Sequence, residues 1–206
     1  METAPEVVRV VGICGSLRER SATRMALQLA LAAAEEAGAS AHLIDLRTYD
    51  LVFCAGMARD TEYPPDVARL CADVQAADGV ILATPEYHGS FSGVLKNALD
   101  LMSFRELEGK MVGLIGCAGG QLGAMNALSG LRGVGRSLRC WVIPQQVSIA
   151  NASRSFRDDG TPHDPDIAHR LVEMGQMITR FAYLHTSQRA QQFLAEWERA
   201  QQNPGG

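Results

Sequence analysis

The stretch Val7-Val-Arg-Val-Val-Gly-Ile-Cys14, running directly into Gly15-Ser-Leu-Arg-Glu-Arg-Ser-Ala-Thr-Arg24, decides the architecture of this chain. Its first half is a β-branched apolar run, the pattern of a strand covered on both faces in a parallel sheet. Its second half ends in Ser21, a strong N-cap, ahead of an Ala- and Leu-rich helix over 22–37, and Gly38 stands where a left-handed C-terminal residue belongs. Strand, loop and helix then repeat outward from this unit. Strands are predicted over 41–46, 79–84, 111–117 and 140–143, and helices over 65–76, 93–102 and 122–138. Five strands interleaved with helices imply βαβ crossovers and an open parallel α/β sheet. Beyond it, Asp164-Pro165 opens a long helix whose Ile167, Leu171, Met174, Ile178 and Phe181 recur at helical spacing and form a core-facing stripe. A weaker stripe, Ala190, Phe193, Leu194 and Trp197 in 187–200, is expected to pack against a partner subunit, and the last six residues to fray.

Composition narrows the function classes. The chain has 206 residues, enough for one domain with a sizeable core. With 19 Lys and Arg against 23 Asp and Glu, the net charge of −4 supplies no basic field for nucleic acid or an anionic membrane. Five cysteines, Cys14, Cys54, Cys71, Cys117 and Cys140, are an odd number without C-x-x-C spacing, so they read as reduced side chains rather than a disulfide or zinc framework. His42, His163, His169 and His185 have no metal-ligand spacing, and no metal site is expected. No basic leader and no apolar run near the ~18 residues of a membrane span is present, so a cytoplasmic location and no membrane partner are expected.

Chemistry in such a sheet belongs beyond the carboxyl ends of the strands, where strand order reverses. After the first strand, one glycine, three hydroxyls (Ser16, Ser21, Thr23) and three arginines precede a helix N-terminus. That composition suits a phosphate, and it also describes a solvated turn with a capping serine. After the third strand, Thr84-Pro-Glu-Tyr-His-Gly-Ser-Phe-Ser-Gly93 offers Pro85 as a strand end and aromatic surface from Tyr87, His88 and Phe91. After the fourth, Gly116-Cys-Ala-Gly-Gly120 is another permissive turn. Convergence of the three loops at one sheet edge points to a pocket for a flat ligand. Lys96 and Asp100, four apart on one helix, read as an ion pair or subunit contact, not as catalytic groups.

Two of these segments carry a resemblance. Gly15-Ser16-Leu17-Arg18-x-x-Ser21-x-x-Arg24 and Pro85-Glu86-Tyr87-x-x-Ser90-x-x-Gly93-x-Leu95-Lys96-Asn97-Ala98-x-Asp100 resemble the NADPH-dependent FMN reductase family, over roughly residues 7 to 150. The resemblance implies a flavodoxin-like three-layer α/β/α sandwich with a five-stranded parallel sheet of order 2-1-3-4-5. Residues 1–206 would then form one FMN-binding domain, with 183–206 a C-terminal helical extension and tail. It implies bound FMN and reduction by NADPH or NADH, with flavin N5 rather than any side chain carrying the hydride. Carried over by position, Ser16, Arg18, Ser21 and Thr23 hold the FMN phosphate. Pro85, Glu86, Tyr87 and His88 border the isoalloxazine, and Gly119 and Gly120 meet its other edge. The implied partners are a small-molecule electron acceptor (a flavin, quinone, azo compound or oxidised metal species) and a second copy of the chain. The assembly would be a homodimer or homotetramer, with contacts from the helices after the third and fourth strands. Many members have Asn at Thr23 and at His88 and Pro at Ser92; the change at His88 bears on substrate preference.

Two other readings use the same residues. A flavodoxin-type electron carrier would share fold and cofactor without enzymatic turnover, although −4 is less acidic than such carriers tend to be. Cys14-x5-Arg20-Ser21 also satisfies the pattern C-x5-R-[ST] of low-molecular-weight tyrosine phosphatases, with Cys14 as nucleophile and Asp164 as general acid. Glu19 opposes that chemistry, because its carboxylate would repel an incoming phosphate.

Overall fold

In the computed structural model, residues 7–56 and 63–200 are described. The opening apolar run forms β1 (Arg9–Cys14), buried at every position after Arg9, and the Ala-rich segment forms α1 (Ala22–Glu36). The order continues with β2 (Ser40–Asp45), α2 (Pro65–Gln75), β3 (Gly79–Tyr87), β4 (Ser90–Phe91), α3 (Gly93–Asp100) and α4 (Phe104–Leu107). It ends with β5 (Met111–Cys117), α5 (Met125–Ser137), β6 (Trp141–Ile149), α6 (Pro165–Thr186) and α7 (Gln188–Arg199). The tail expected to fray, 201–206, lies outside the described residues.

Five strands pair in parallel in the order β2-β1-β3-β5-β6, the flavodoxin-like arrangement, and the two-residue β4 adds to β3 in antiparallel sense. One face of the sheet is covered by α1 and α6, whose Leu27, Ala30, Leu171, Met174 and Ile178 share a core with Val10, Ile81 and Ile115. The other is covered by α2, α3 and α5, through Leu70, Val74, Leu95, Leu99, Leu128 and Leu131 against Val11, Val80 and Leu114. Each of these buried aliphatic side chains contributes about 1.5–3 kcal/mol relative to exposure. The apolar stripe read on the long helix is therefore core: Leu171, Met174 and Ile178 are buried. Lys96 and Asp100 form an intrahelical ion pair at 2.7 Å on α3.

Three boundaries differ from the sequence reading by three residues or more. Pro85 does not end its strand, since β3 continues to Tyr87 with Pro85 opposite Cys117 of β5. On its other side β1 stops at Cys14, opposite Ala83, so β3 has an unpaired edge there and tolerates the imide nitrogen. The fourth helix begins at Met125 rather than 122, because 122–124 form a turn whose Ala124 amide donates to Ser148 Oγ at 2.9 Å. The last strand runs to Ile149 instead of stopping at 143, its register shifting between Val112 and Leu114 to absorb Pro144. Arg132 donates to the Ile143 and Pro144 carbonyls freed there, at 2.9 and 3.3 Å.

Candidate functional site

The carboxyl ends of β1, β3 and β5 open into a cavity of about 450 Å³, within the range of small-molecule sites. Its lining includes Ser16, Arg18, Ser21, Thr23, Pro85, Glu86, Tyr87 and Gly119 of the residues read from sequence. His88 and Gly120 lie outside that lining. Sequence reasoning did not anticipate Phe156, Ala152 and Ser153, which close one wall from the segment after β6, nor Cys117 and Met25. Their only sequence signal was position: each follows a strand on the same sheet edge, or lies one turn into α1.

The loop after β1 is fixed at both ends. Gly15 sits where a Cβ would meet Leu95 Cβ and Ser92 Oγ at 2.8 Å and the Ala83 carbonyl at 3.1 Å. Its amide donates to Ala83 O (2.8 Å) and its carbonyl accepts from Ser92 Oγ (2.7 Å), tying the loop to β3 and the start of α3. Ser92 in turn caps α3, accepting from the Leu95 amide at 3.2 Å. Ser21 caps α1 as expected, accepting from the Arg24 amide at 3.2 Å. The first intrahelical bond of α1 runs from the Met25 amide to Ser21 O, so the amides of Ala22 and Thr23, both lining residues, lie ahead of the ladder. With buried Ser16 and Thr23 hydroxyls and the exposed Arg18, these groups form a donor-rich end suited to an anion.

The end of β3 adds an aromatic ring to the lining. Tyr87 is 43% exposed, with the Arg18 guanidinium 5.9 Å from its ring centre. Glu86 is held away from chemistry: its Oε2 accepts from the Ala127 amide at 2.9 Å, at the N-terminus of α5. His88 and Gly89 have φ of +51° and +76° between the paired Tyr87 and Ser90, the signature of a two-residue type I′ hairpin turn. At Gly119 a Cβ would meet nothing within 4 Å, so the backbone there is open to a ligand. Arg20 pairs with Asp158 at 2.6 Å across the rim.

The cysteines at the site are not nucleophiles. Cys14 is wholly buried at the end of β1, and burial pushes its thiol up despite the Ser16 backbone and nearby Arg24. Cys117 is pushed up to about 12, chiefly by burial, which leaves a neutral thiol against the Thr23 hydroxyl. The phosphatase reading thus loses its thiolate. Among the described residues, no group of His, Cys, Asp or Glu could hold a metal ion.

An open parallel sheet of this strand order, with a donor-rich loop after β1, Tyr87 at the end of β3 and a bare glycine turn after β5 on one edge, defines the flavodoxin-like class. Within it, the chain belongs to the NADPH-dependent FMN reductase family, whose model matches residues 8–154. It is 36% identical over 138 residues to an FMN-dependent NADPH-azoreductase of Staphylococcus haemolyticus, a match spanning 63% of this chain and 73% of that protein. An NADPH azoreductase of Bacillus sp. is 45% identical over 83 residues, which span 40% of this chain and 47% of that one. Among solved structures, the flavoenzyme NAD(P)H:(acceptor) oxidoreductase FerB from Paracoccus denitrificans superposes with TM-score 0.72 at 25% identity, covering 87% of this chain and 99% of that one. An archaeal flavodoxin shares the fold alone, at TM-score 0.60 and 11% identity over 85% of this chain and 99% of that one. The family makes this chain an FMN-dependent NAD(P)H oxidoreductase.

Proposed function

We propose that Ser16, Arg18, Ser21 and Thr23 hold the FMN phosphate, that Pro85, Glu86, Tyr87 and His88 border the isoalloxazine, and that Gly119 and Gly120 approach its other edge. The carrying observation is one cavity lined both by the amides, hydroxyls and Arg18 of the loop after β1 and by Tyr87 and the open Gly119 backbone. These residues fit FMN, since a dianion meets donors and a planar ring meets flat, unhindered surface.

When bound, FMN supplies two-electron transfer between the nicotinamide and an acceptor. The side chains bind and orient. Glu86 is committed to the α5 N-terminus and Cys117 is a neutral floor, so no side chain is assigned a proton-transfer role. The proposed acceptor is a small conjugated molecule such as an azo compound, quinone or free flavin, a class supported by the azoreductase names of the relatives. A homodimer or homotetramer is proposed, supported by exposed Leu122 just before α5 and Met125 at its start, and by Phe193, Leu194 and Trp197 on α7. The proposed location is the cytoplasm, in keeping with five cysteines none of which is in a disulfide. No helix among the described residues is long and apolar enough to cross a membrane.

The test is a visible absorbance spectrum of the purified full-length protein, with FMN added if it is colourless, followed by anaerobic NADPH and then NADH. Flavin bands that bleach on addition support an enzyme; bands that persist favour the electron carrier, and failure to bind FMN defeats the assignment. Arg18→Ala should weaken FMN more than riboflavin, and equal loss of both removes Arg18 from the phosphate seat.

A further inference from the structure

Arg24 is buried, with its side chain 8% exposed, and it does not line the cavity. All five of its N–H donors are nonetheless engaged. Nε donates to Asp45 Oδ2 at 3.0 Å, one terminal nitrogen to the carbonyls of Arg18 and Glu19 at 2.9 Å each, and the other to Ser16 O at 3.0 Å and to Asp45 Oδ1 at 3.5 Å. A guanidinium has five donors and no more, so Arg24 has none left for an anion. Its charge is also answered, because Asp45, 12% exposed, lies against it and is itself held by Arg47 at 2.7 Å.

Across a trans peptide, the carbonyl of one residue and the amide of the next point in opposite directions. Capture of the Ser16, Arg18 and Glu19 carbonyls on the Arg24 side therefore turns the amides of Leu17, Glu19 and Arg20 to the other side of the loop. Ser16, Arg18, Arg20 and Ser21 of that loop do line the cavity. We infer that Arg24, locked by Asp45, is a positioning residue that pre-sets the loop after β1 as an anion seat by removing its carbonyls from the cavity, without touching the anion itself. This rests on the FMN reading above and adds to it the source of the loop's shape. A lysine cannot substitute, since three donors on one nitrogen cannot span Asp45 and three separate carbonyls.

The experiment titrates FMN and riboflavin, by flavin fluorescence, into full-length apoprotein of the wild type, Arg24→Lys, Arg24→Met and Asp45→Asn. Positioning predicts that both Arg24 variants weaken FMN by about tenfold or more while riboflavin changes less than about twofold. Asp45→Asn should weaken FMN as well, because both Asp45 oxygens face arginine donors and an amide would oppose them. If Arg24 acted through charge, Arg24→Lys would keep wild-type affinity and Asp45→Asn would tighten FMN; either result overturns the inference. Parallel loss of FMN and riboflavin also overturns it, marking a general structural role. Should the Arg24 variants not fold, the sign of the Asp45→Asn effect decides. Wild-type apoprotein that binds neither flavin refutes the FMN reading instead, while equal wild-type affinity for both leaves a flavin site and refutes the anion seat.

Discussion

The loop after β1 lines the cavity, the hairpin turn after β3 stands just outside its lining, and the two are built differently. The first is held by side-chain bonds from Arg24 in α1, itself fixed by Asp45 at the end of β2, and from Ser92 at the start of α3. The second is a two-residue turn at His88 and Gly89, exposed and fixed by its own backbone geometry. A small dianion rewards donors set in advance, because reorganising them on binding would cost affinity. A planar ring asks only for a flat wall, so the turn is free to differ without loss of the anion seat. On the proposed reading, FMN phosphate recognition rests on the loop that distant groups hold, while the turn borders the ring.

The sharpest way to break this contrast is a single methyl group. Gly15→Ala should cost about 2 kcal/mol, since its Cβ would collide with Leu95 Cβ and the Ala83 carbonyl. Gly119→Ala, where nothing lies within 4 Å, should leave stability within about 0.5 kcal/mol. Denaturant midpoints of the two variants measure the difference; equal midpoints would deny that the first loop is the tighter.

Acid probes the same loop. Burial pushes the Asp45 carboxyl up, but the Arg47 hydrogen bonds and the charges of Arg24 and Arg47 outweigh it, so it lies below the ordinary carboxylate range. A depressed carboxyl contributes stability that is fully present above its unfolded value of about 3.9 and is lost as pH falls through the lower folded value. The Tm gap between wild type and Asp45→Asn should therefore be widest near neutral pH, begin to narrow below about pH 4 and close only as pH falls past the lower folded value. A constant gap would remove Asp45 from the acid response.

Smaller effects belong to the ring side. Glu86→Ala removes the acceptor for the Ala127 amide and should cost about 1 kcal/mol, read from thermal unfolding. His88→Asn should gain about 0.5 kcal/mol, because His88 holds a left-handed φ of +51° that asparagine tolerates better. If the turn shapes acceptor choice, this variant changes relative rates among azo, quinone and flavin acceptors while FMN stays bound. Loss of FMN binding would show that the two loops are not independent.

Strands β1, β2, β3 and β5 were legible as apolar runs and β6 only in its first part, while Ser21 and Asp164 announced the helices they cap. Pro85 and Pro144 misled, since proline reads locally as a strand end. Each instead sits where the sheet leaves slack, beside the unpaired edge of β3 or at the shifted register of β6. The wall formed by Phe156 was not legible, because that segment has no periodicity and meets the site only through the fold.

Sequence by itself determined the alternation of strand and helix, the capping serines and the two loop motifs, all of which depend on neighbours a few residues apart. Tertiary structure decided what Arg24 does, because its partners Ser16, Arg18, Glu19 and Asp45 come from a loop and a strand on either side of α1. It also decided the fate of Cys14. The spacing C-x5-R permits a nucleophile, but burial at the sheet centre raises the cost of its thiolate, and burial is set by the whole fold rather than by adjacent residues.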